Sequence, residues 1–273
     1  MTIKDIIHGS LLPRADAEIL LAHCLCSERT WIIAHPEYIL QTGESMRWAL
    51  LLERRRQFEP IAYIIGEQEF FGRPFFVDQR VLIPRPSTEK LVERTLCFLQ
   101  DQKNATEEAD EQIVIAARSI RLADHAVTTI VEVGTGSGCV AVTLALERPD
   151  LHIIATDISE DALDVARRNA THHGVSDHID FRCGDGFSPA AKIDEPFILV
   201  SNPPYIPSSR TLMPDVVNHE PHVALFGGEL GTDLLKQLYT QAQEHPSCMG
   251  IIVESEKNQI SGIFENMLPF PRD

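Results

Sequence analysis

The chain has 273 residues, of which 44% are hydrophobic, and its 24 basic and 40 acidic side chains give a formal net charge of -16. This length and composition are typical of a globular protein with one large or two ordinary domains, and the negative charge argues against a broad electrostatic grip on a nucleic-acid backbone. No segment approaches the roughly 20 consecutive apolar residues that a membrane helix needs, so we expect a cytoplasmic protein.

Residues 1–66 are predicted to form a small helical N-terminal domain. One helix is predicted from Ala15 to Cys24 and another from Ser45 to Arg56, with a shorter helical piece between them that breaks around Pro36. Such a domain is either a packing module or a surface that docks a macromolecular substrate. The periodicity of the sequence does not separate these two roles.

Residues 67–84 are predicted to form a β-hairpin that links two domains. Aromatic and β-branched residues flank a Gly-x-Pro turn between Phe70 and Val77, a pattern typical of a hairpin. The rigid connector Pro84-Arg85-Pro86 follows, and Ser87-Thr88-Glu89 is then predicted to cap a helix. The second domain, residues 85–273, therefore begins at this connector.

Two segments follow that carry weaker signals. Residues 101–110 are polar and acidic without periodicity, which predicts an exposed loop. The segment from Ile113 to Leu122 is predicted to form one or two helical turns.

A glycine-rich loop stands between a strand and a helix. The apolar strand from Thr129 to Val133 runs into Gly134-Thr135-Gly136-Ser137-Gly138, and a helix follows. Glycines allow a ligand to approach the backbone, and a helix N-terminus favours negative charge, so this loop is interpreted as a cofactor-binding turn. A dinucleotide fingerprint needs its third glycine where this chain has Cys139, which disfavours a nicotinamide dehydrogenase. The tighter Gly-x-Gly-x-Gly spacing is common in folds that bind adenosylmethionine.

The next two strands are each followed by an aspartate. Asp157 ends the strand from Ile153, about 20 positions after the glycine loop, and that offset favours a carboxylate on ribose hydroxyls. Its alternative role is helix capping, but Ser159 is available for that. Asp185 follows a third strand and could meet an adenine amino group.

The fourth strand delivers the sequence Ser201-Asn202-Pro203-Pro204-Tyr205. The prolines remove backbone donors, so the Asn202 side-chain oxygen and the Pro203 carbonyl are available as acceptors, and the Tyr205 ring offers a stacking face. This arrangement suits a planar NH2 group, whereas a plain strand-terminating turn is the alternative interpretation. Parallel strands would place all four strand-end loops along one sheet edge, where open α/β folds bind ligands.

Taken together, these motifs resemble the glutamine-N5 protein methyltransferases that modify peptide-chain release factors, the HemK/PrmC family. The Asn-Pro-Pro-Tyr signature is shared with adenine-N6 DNA methyltransferases and alone indicates only a planar nitrogen acceptor. The resemblance covers most of the chain, and its matching segments are Phe71-Gly72-Arg73-Pro74-Phe75, Val81-Leu82-Ile83-Pro84-Arg85-Pro86, Gly134-Thr135-Gly136-Ser137-Gly138, Asn202-Pro203-Pro204-Tyr205-Ile206, Glu220-Pro221 and Ala224-Leu225-Phe226-Gly227-Gly228.

The resemblance implies an α/β fold, with a Rossmann-like class I methyltransferase sheet joined by a β-hairpin to a small N-terminal helical domain. It implies S-adenosylmethionine as cofactor, S-adenosylhomocysteine as product and release factors as partners, and we expect a monomer without direct DNA binding. We expect no metal. The implied cofactor-binding residues are Gly134, Thr135, Gly136, Gly138, Asp157, Asp185, Gly186 and Asn202; Asn202, Pro203 and Tyr205 are the implied catalytic residues, and with Pro204 they are the implied substrate-binding residues.

Three positions depart from the family pattern. Ser87 stands where the family usually has Glu, Glu132 replaces the commoner Asp, and Glu256 stands where glycine is usual. Two other functions remain open at this stage: an adenine-N6 nucleic-acid methyltransferase, and a catalytically silent cofactor-binding protein that docks a partner through its N-terminal helices.

Overall fold

The computed structural model describes residues 1–100, 112–117, 127–256 and Gln259. The chain divides into two compact units. One unit comprises Met1–Glu67 with Leu212–His219, and the other comprises the described parts of 68–211 and 220–273. The predicted loop at 101–110 lies outside the described residues.

The first unit is helical. Apolar residues at helical spacing, such as Leu20, Leu21 and Cys24, are buried with Ile32 and Trp48 in one core. The two predicted helices at Ala15–Cys24 and Ser45–Arg56 are confirmed, with bounds that differ by up to three residues, whereas the shorter piece between them is helical only as far as Ala34. Its helices are α1 (Ile3–Gly9), α2 (Arg14–Leu25), α3 (Arg29–Ala34), α4 (Thr42–Arg56), α5 (Ile61–Ile65) and a single turn at Pro214–Val217.

The predicted hairpin is confirmed, and its two strands are β1 (Glu67–Phe70) and β2 (Arg73–Phe76). After it, helix α6 (Pro86–Gln100) begins at Pro86, before the predicted cap at Ser87-Thr88-Glu89. Ser87 therefore lies inside the helix rather than at its cap, because a proline is well suited to the first helical position.

A six-stranded sheet forms the centre of the second unit in the described part of the chain. Its strands are β3 (Ile113–Ala117), β4 (Thr129–Val133), β5 (His152–Asp157), β6 (Ile179–Cys183), β7 (Phe197–Ser201) and β8 (Cys248–Glu254). Their order is β3-β8-β7-β4-β5-β6, and every neighbouring pair is parallel except β3 and β8. This architecture confirms the predicted Rossmann-like α/β class.

The predicted helical turns at Ile113–Leu122 are wrong for the described residues, which form strand β3 antiparallel to β8. A short apolar run does not distinguish a helix from a strand. The open edge of β8 needs hydrogen-bond partners, and β3 supplies them with Ile113 opposite Glu254. Residues 118–122 of that prediction lie outside the described chain.

The central strands are buried on both faces, which explains their continuous apolar sequences. Alternate residues of β4 pack on opposite faces of the sheet. Ile130 belongs to the core under α6 and helix α7 (Cys139–Glu147), and Val131 belongs to the core under the helix Asp233–Glu244. Helix α8 (Glu160–His172) covers the same face as α7. The packed layers hold the strand ends, and hence the loops after them, in fixed positions.

No helix in the described residues combines the length and the apolar character that crossing a membrane requires.

Candidate active site

The loops that follow four parallel strands meet at one edge of the sheet. Gly134, Asp157, Asp185 and Asn202 all line the same cavity, which has a volume of about 400 Å³. The strands β7, β4, β5 and β6 are neighbours and run in parallel, so their carboxyl ends coincide. The expected placement of these four residues along one edge is confirmed.

The glycine loop after β4 leaves room for a ligand. Gly134 and Gly136 have φ angles of +75° and +54°, and no atom lies within 4 Å of the position that a Cβ would take at either residue. Thr135 also lines the cavity. Gly138 does not: a Cβ there would lie 3.0 Å from the Cβ of Ala166, so this glycine permits α7 to pack against α8.

Asp157 ties the end of β5 to the glycine loop. Its Oδ2 accepts a hydrogen bond of 2.9 Å from the Gly136 amide, and its Oδ1 accepts one of 2.9 Å from the Ser159 amide. Burial raises the pKa of Asp157, although these backbone donors act in the opposite direction. The Ser159 hydroxyl caps α8 by accepting from the Ala162 amide, as the sequence predicted.

Glu132 is a cavity residue that the sequence marked only as a departure from the family pattern. Its side chain is buried within β4 and accepts a 2.7 Å hydrogen bond from the Thr135 hydroxyl. Burial raises its pKa to about 7, and the charge of Asp157 adds to that rise. The signal that could have identified it is an acid in an otherwise apolar strand next to the glycine loop.

Cys139 also lines the cavity, at the start of α7. Burial, reinforced by the charge of Glu132, raises the pKa of its thiol to about 12. The thiol therefore remains protonated at neutral pH and is a poor nucleophile.

The loop after β6 forms the next wall of the cavity. Asp185 and Gly186 both line it, and the Gly186 carbonyl accepts a 3.1 Å hydrogen bond from the Thr156 hydroxyl. Gln237 and Leu234 reach the same wall from the helix Asp233–Glu244. These two residues were not predicted, because nothing local in the sequence marks which face of that helix meets the loop.

Asn202 lines the cavity with its side-chain amide held in place. Its Nδ2 donates a 2.9 Å hydrogen bond to the Thr88 hydroxyl oxygen, which leaves Oδ1 as the opposite, accepting end. Pro204 lines the cavity beside it, whereas Pro203 is buried and is not part of the lining.

Tyr205 also lies outside the cavity lining. Its hydroxyl points toward Glu254 at the end of β8, with an O···O distance of 3.4 Å to Oε1. Burial raises the pKa of Tyr205 to about 12, and the nearby Glu254 charge adds to the rise. Tyr205 therefore stays protonated and is not a proton acceptor at neutral pH.

A glycine-containing segment supports the Asn-Pro-Pro-Tyr loop from behind. The Ile206 amide donates to the Leu225 carbonyl and the Gly227 amide donates to the Ile206 carbonyl, each at 3.0 Å. A Cβ at Gly227 would collide with the Pro204 carbonyl oxygen and with the Gly231 backbone. This close approach explains why residue 227 is a glycine.

The proline-arginine-proline connector is tied to the later Glu-Pro motif by an ion pair between the half-buried Arg85 and the buried Glu220. Arg85 lines the cavity and pairs with Glu220 at 2.5 Å, while the Ile83 amide donates to the same carboxylate at 3.2 Å. These contacts bring two segments together that lie 135 residues apart. Glu256, the third departure, pairs with Arg210 at 2.8 Å just beyond β8.

The residues around the cavity suit an elongated cofactor with a cationic end, hydroxyl groups and a flat base. Glu132 provides a buried carboxylate next to the glycine loop, and Asp157 provides a second one near the end of β5. Ile158 offers a 56% exposed apolar side chain to the same cavity. These features fit S-adenosylmethionine. No group of three or more metal-ligating side chains occurs within the described parts of the chain.

Comparisons with known proteins match both the N-terminal and the later part of the chain. Residues 8–66 match the family model described as the PrmC N-terminal domain, and residues 118–232 match the model described as the methyltransferase small domain. A release factor glutamine methyltransferase of Koribacter versatilis is 38% identical over 90% of this chain and 82% of its own length. One from Chlorobaculum tepidum is 44% identical over 78% of this chain and 68% of its own length.

Two further similarities are more partial. A bifunctional methyltransferase of Rickettsia bellii is 36% identical over 92% of this chain, which spans 47% of that longer protein. The crystal structure of a ribosomal protein L11 methylase from Lactobacillus delbrueckii subsp. bulgaricus shares 17% identity over 68% of each chain, with a TM-score of 0.40.

Proposed function

Because this chain belongs to the release factor glutamine methyltransferase family, we propose that it methylates the side-chain amide nitrogen, N5, of the glutamine in the Gly-Gly-Gln loop of peptide-chain release factors. S-adenosylmethionine is the methyl donor and S-adenosylhomocysteine the product. The geometry of Asn202 supports this assignment most directly.

The cofactor is proposed to lie in the cavity at the carboxyl ends of β4, β5 and β6. Gly134, Thr135 and Gly136 border its methionine portion, with the buried Glu132 carboxylate facing the amino group. Asp157 holds the ribose, and Asp185 with Gly186 borders the adenine. Gly138 contributes through the packing of α7 on α8, which fixes the shape of the glycine loop.

The bound cofactor supplies an electrophilic methyl group on a sulfonium centre. A glutamine amide nitrogen is a weak nucleophile because its lone pair is delocalised, so the protein must contribute mainly position and electrostatics. We propose that Asn202 Oδ1 accepts one N–H of the substrate amide and that the Pro203 carbonyl accepts the other, although Pro203 itself is buried and lies outside the cavity lining. The two acceptors aim the nitrogen at the methyl group and stabilise the positive charge that grows on nitrogen.

The neighbours of Asn202 complete this arrangement. Pro204 borders the substrate amide, and Tyr205, which lies outside the cavity lining, is proposed to support the loop from behind and to help exclude water. A strong general base is not required, because a methylated and N-protonated amide is acidic enough to lose its proton to water. The high pKa of Tyr205 is consistent with a role in packing rather than in proton transfer.

The observation that carries this proposal is the orientation of the Asn202 amide. Its NH2 group is engaged by Thr88, so the cavity meets an acceptor at this position. An acceptor is what a substrate NH2 group requires, whereas a donor at this position would repel it.

Replacing Asn202 with alanine tests the proposal. We expect Asn202→Ala to lower methyl transfer to a purified release factor by about 10²- to 10³-fold, the range seen when one preorganised polar contact to a transition state is removed. Its affinity for S-adenosylmethionine, measured by calorimetry, should stay within a few fold of the parent. Asn218→Ala, at an exposed asparagine of the first unit, is the matched control. Normal transfer by Asn202→Ala would contradict the mechanism.

The remaining assignments follow from this function. Residues 1–66 are proposed to dock the release factor away from its glutamine, residues 67–84 to link the domains, and residues 85–273 to carry out catalysis. We further propose a monomeric, cytoplasmic enzyme that does not bind DNA. The net charge of -16 disfavours the adenine-N6 alternative, which would need a basic groove.

A further inference from the structure

A buried asparagine on helix α8 contacts both the glycine loop and the hairpin. Asn169 is 1% exposed. Its Nδ2 donates a hydrogen bond of 2.8 Å to the Ser137 carbonyl oxygen and one of 3.0 Å to the Phe76 carbonyl oxygen, and its Oδ1 accepts one of 2.8 Å from the Phe76 amide. Ser137 belongs to the glycine loop and lines the cavity, and Phe76 is the last residue of β2. One side chain therefore joins two segments that are distant in the chain.

The chemistry of these three hydrogen bonds requires an amide at this position. The Phe76 N–H only donates, whereas the two carbonyl oxygens only accept, so turning the Asn169 amide by 180° would set donor against donor and acceptor against acceptor. Both Nδ2 protons are used. An aspartate would lack both donors, and a leucine of similar size would leave three buried backbone groups without this partner. Filling space therefore does not explain an asparagine here.

Other residues of α8 also contact β2. The His173 Nε2 donates a 2.8 Å hydrogen bond to the Pro74 carbonyl, and the guanidinium carbon of Arg168 lies 3.4 Å from the centre of the Phe76 ring. These contacts tie the hairpin strand to α8 without the glycine loop. The hydrogen bond to Ser137 is what distinguishes Asn169 from them.

The glycine loop is held from two sides. At its start, the Gly134 amide donates at 2.8 Å and the Gly136 amide at 2.9 Å to acceptors on the last two residues of β5. Near its end, the Ser137 carbonyl accepts from Asn169 on α8. A loop that is held at both ends needs less ordering when a ligand binds to it, so less of the binding free energy is lost.

We propose that Asn169 is a positioning residue for the cofactor: it preorganises the glycine loop and couples this loop to β2. The proposal rests on the placement of S-adenosylmethionine at the glycine loop, which is part of the proposed function. Coupling between two regions is reciprocal. If Asn169 at the hairpin helps to order the loop, a ligand that orders the loop also stabilises the hydrogen bonds between Asn169 and Phe76.

The first test removes the amide and measures cofactor binding. We expect Asn169→Ala to raise the Kd for S-adenosylhomocysteine about tenfold in calorimetry, because the ligand must then order the loop itself. The KM for S-adenosylmethionine in methyl transfer to a release factor should rise by a similar factor. The kcat at saturating cofactor should stay within about threefold of the parent. A fall in kcat at unchanged Kd would contradict a role in cofactor positioning.

His173→Ala is the matched control. It removes another contact between α8 and β2 and leaves Ser137 bonded to Asn169. Its Kd should stay within about twofold of the parent even where its Tm falls as much as that of Asn169→Ala. Equal Kd values for the two variants would show that Asn169 only packs the hairpin, and this result would overturn the proposal.

The second test uses the unaltered chain and needs no release factor. Amide hydrogen exchange is measured with and without saturating S-adenosylhomocysteine, and we expect the Phe76 amide to exchange at least about threefold more slowly in the bound protein. The Phe71 amide is the internal control, since it lies in the same hairpin but donates to Glu89 on α6 at 2.8 Å. Its exchange should not change. Equal responses of the two amides would overturn the coupling.

The Gly136 amide separates this inference from the proposed function, because it reports directly on the glycine loop. If S-adenosylhomocysteine slows exchange at Gly136 but not at Phe76, the cofactor lies at the loop and the inference fails. If it slows neither, the cofactor placement fails and the inference fails with it. If both amides respond but release factors are not methylated, the proposed transfer fails and the inference stands.

Discussion

Two carboxyl groups of the cavity, those of Glu132 and Asp157, have different hydrogen-bond donors around them. Glu132 has one side-chain donor, Thr135, and a pKa near 7, whereas Asp157 is surrounded by backbone amides that counter the effect of burial. The amides of Gly136 and Ser159 hold the Asp157 carboxylate in place at the glycine loop. We expect Glu132 to gain a cationic partner when the cofactor binds.

Asp157 should be needed for cofactor affinity more than for catalysis. We expect Asp157→Ala to weaken S-adenosylmethionine binding by about 10- to 100-fold in calorimetry, since it removes a charged hydrogen-bond acceptor from both the ribose and the Gly136 amide. Asp150→Ala, which removes an exposed aspartate paired with Arg148, is the control and should bind normally. Unchanged affinity in Asp157→Ala would show that the ribose site is misplaced.

Glu132 should make the cofactor-free protein less stable at higher pH. Its pKa rises from an ordinary 4.5 to about 7 on folding, so the folded chain holds the proton more tightly and folding stability falls as pH increases through that range. We expect Glu132→Gln to raise the free energy of unfolding by up to about 3 kcal/mol at pH 8 and by about 1 kcal/mol or less at pH 5. Urea unfolding at both pH values measures this difference.

The same substitution should weaken binding of the cationic cofactor at pH 8, because it removes the negative charge. A Glu132→Gln protein that is no more stable than the parent at pH 8 would contradict the assigned pKa. A protein that gains stability but binds the cofactor normally would contradict the role given to Glu132.

Residues 225–231 support the Asn-Pro-Pro-Tyr loop, and the close packing at Gly227 leaves no space there for a larger side chain. We expect Gly227→Ala to displace the Pro204 loop, because a methyl group would overlap the Pro204 carbonyl, and to lower kcat by about tenfold or more with a smaller effect on cofactor affinity. Gly43→Ala is the control, since Gly43 lies in α4 and no atom lies within 4 Å of the position that its new methyl group would take. That control should retain activity and gain up to about 1 kcal/mol of stability. Equal activity of the two variants would contradict the supporting role.

Local sequence motifs predicted the strand-end loops whose own residues line the cavity. The glycine loop, the aspartate after β5 and the Asn-Pro-Pro-Tyr turn each stand next to an apolar strand, and the structure places all three loops around one cavity. Strand β3 was missed because its partner, β8, lies more than 130 residues away in the chain. A five-residue edge segment becomes a strand because it pairs with that partner, and its own hydrophobic periodicity is too short to predict this.

The same limit applies to the site residues that the sequence patterns did not reveal. Thr88 was visible in the sequence, but its hydrogen bond with Asn202 arises only when α6 packs beside the loop that follows β7. Gln237 likewise meets the loop after β6 only in the folded chain. Motifs therefore predicted which loops surround the cavity, and tertiary packing was needed to identify the residues that hold these loops in position.

For the whole molecule, charge and architecture bear on the choice of substrate. The chain carries a net charge of -16, and its matched N-terminal family model covers residues 8–66. A nucleic-acid methyltransferase would require positive charge along its substrate groove. A protein substrate that presents a single loop to the cavity does not require a positively charged groove.

Mass mapping of the methylated product tests the central claim most directly. Purified enzyme would be supplied with labelled S-adenosylmethionine and offered an unmethylated release factor and unmethylated adenine-containing DNA in parallel reactions. We predict that label appears on the glutamine of the Gly-Gly-Gln loop, that it is lost in Asn202→Ala, and that DNA remains unlabelled. Label on DNA adenine, or on a release factor residue other than that glutamine, would contradict the proposed function.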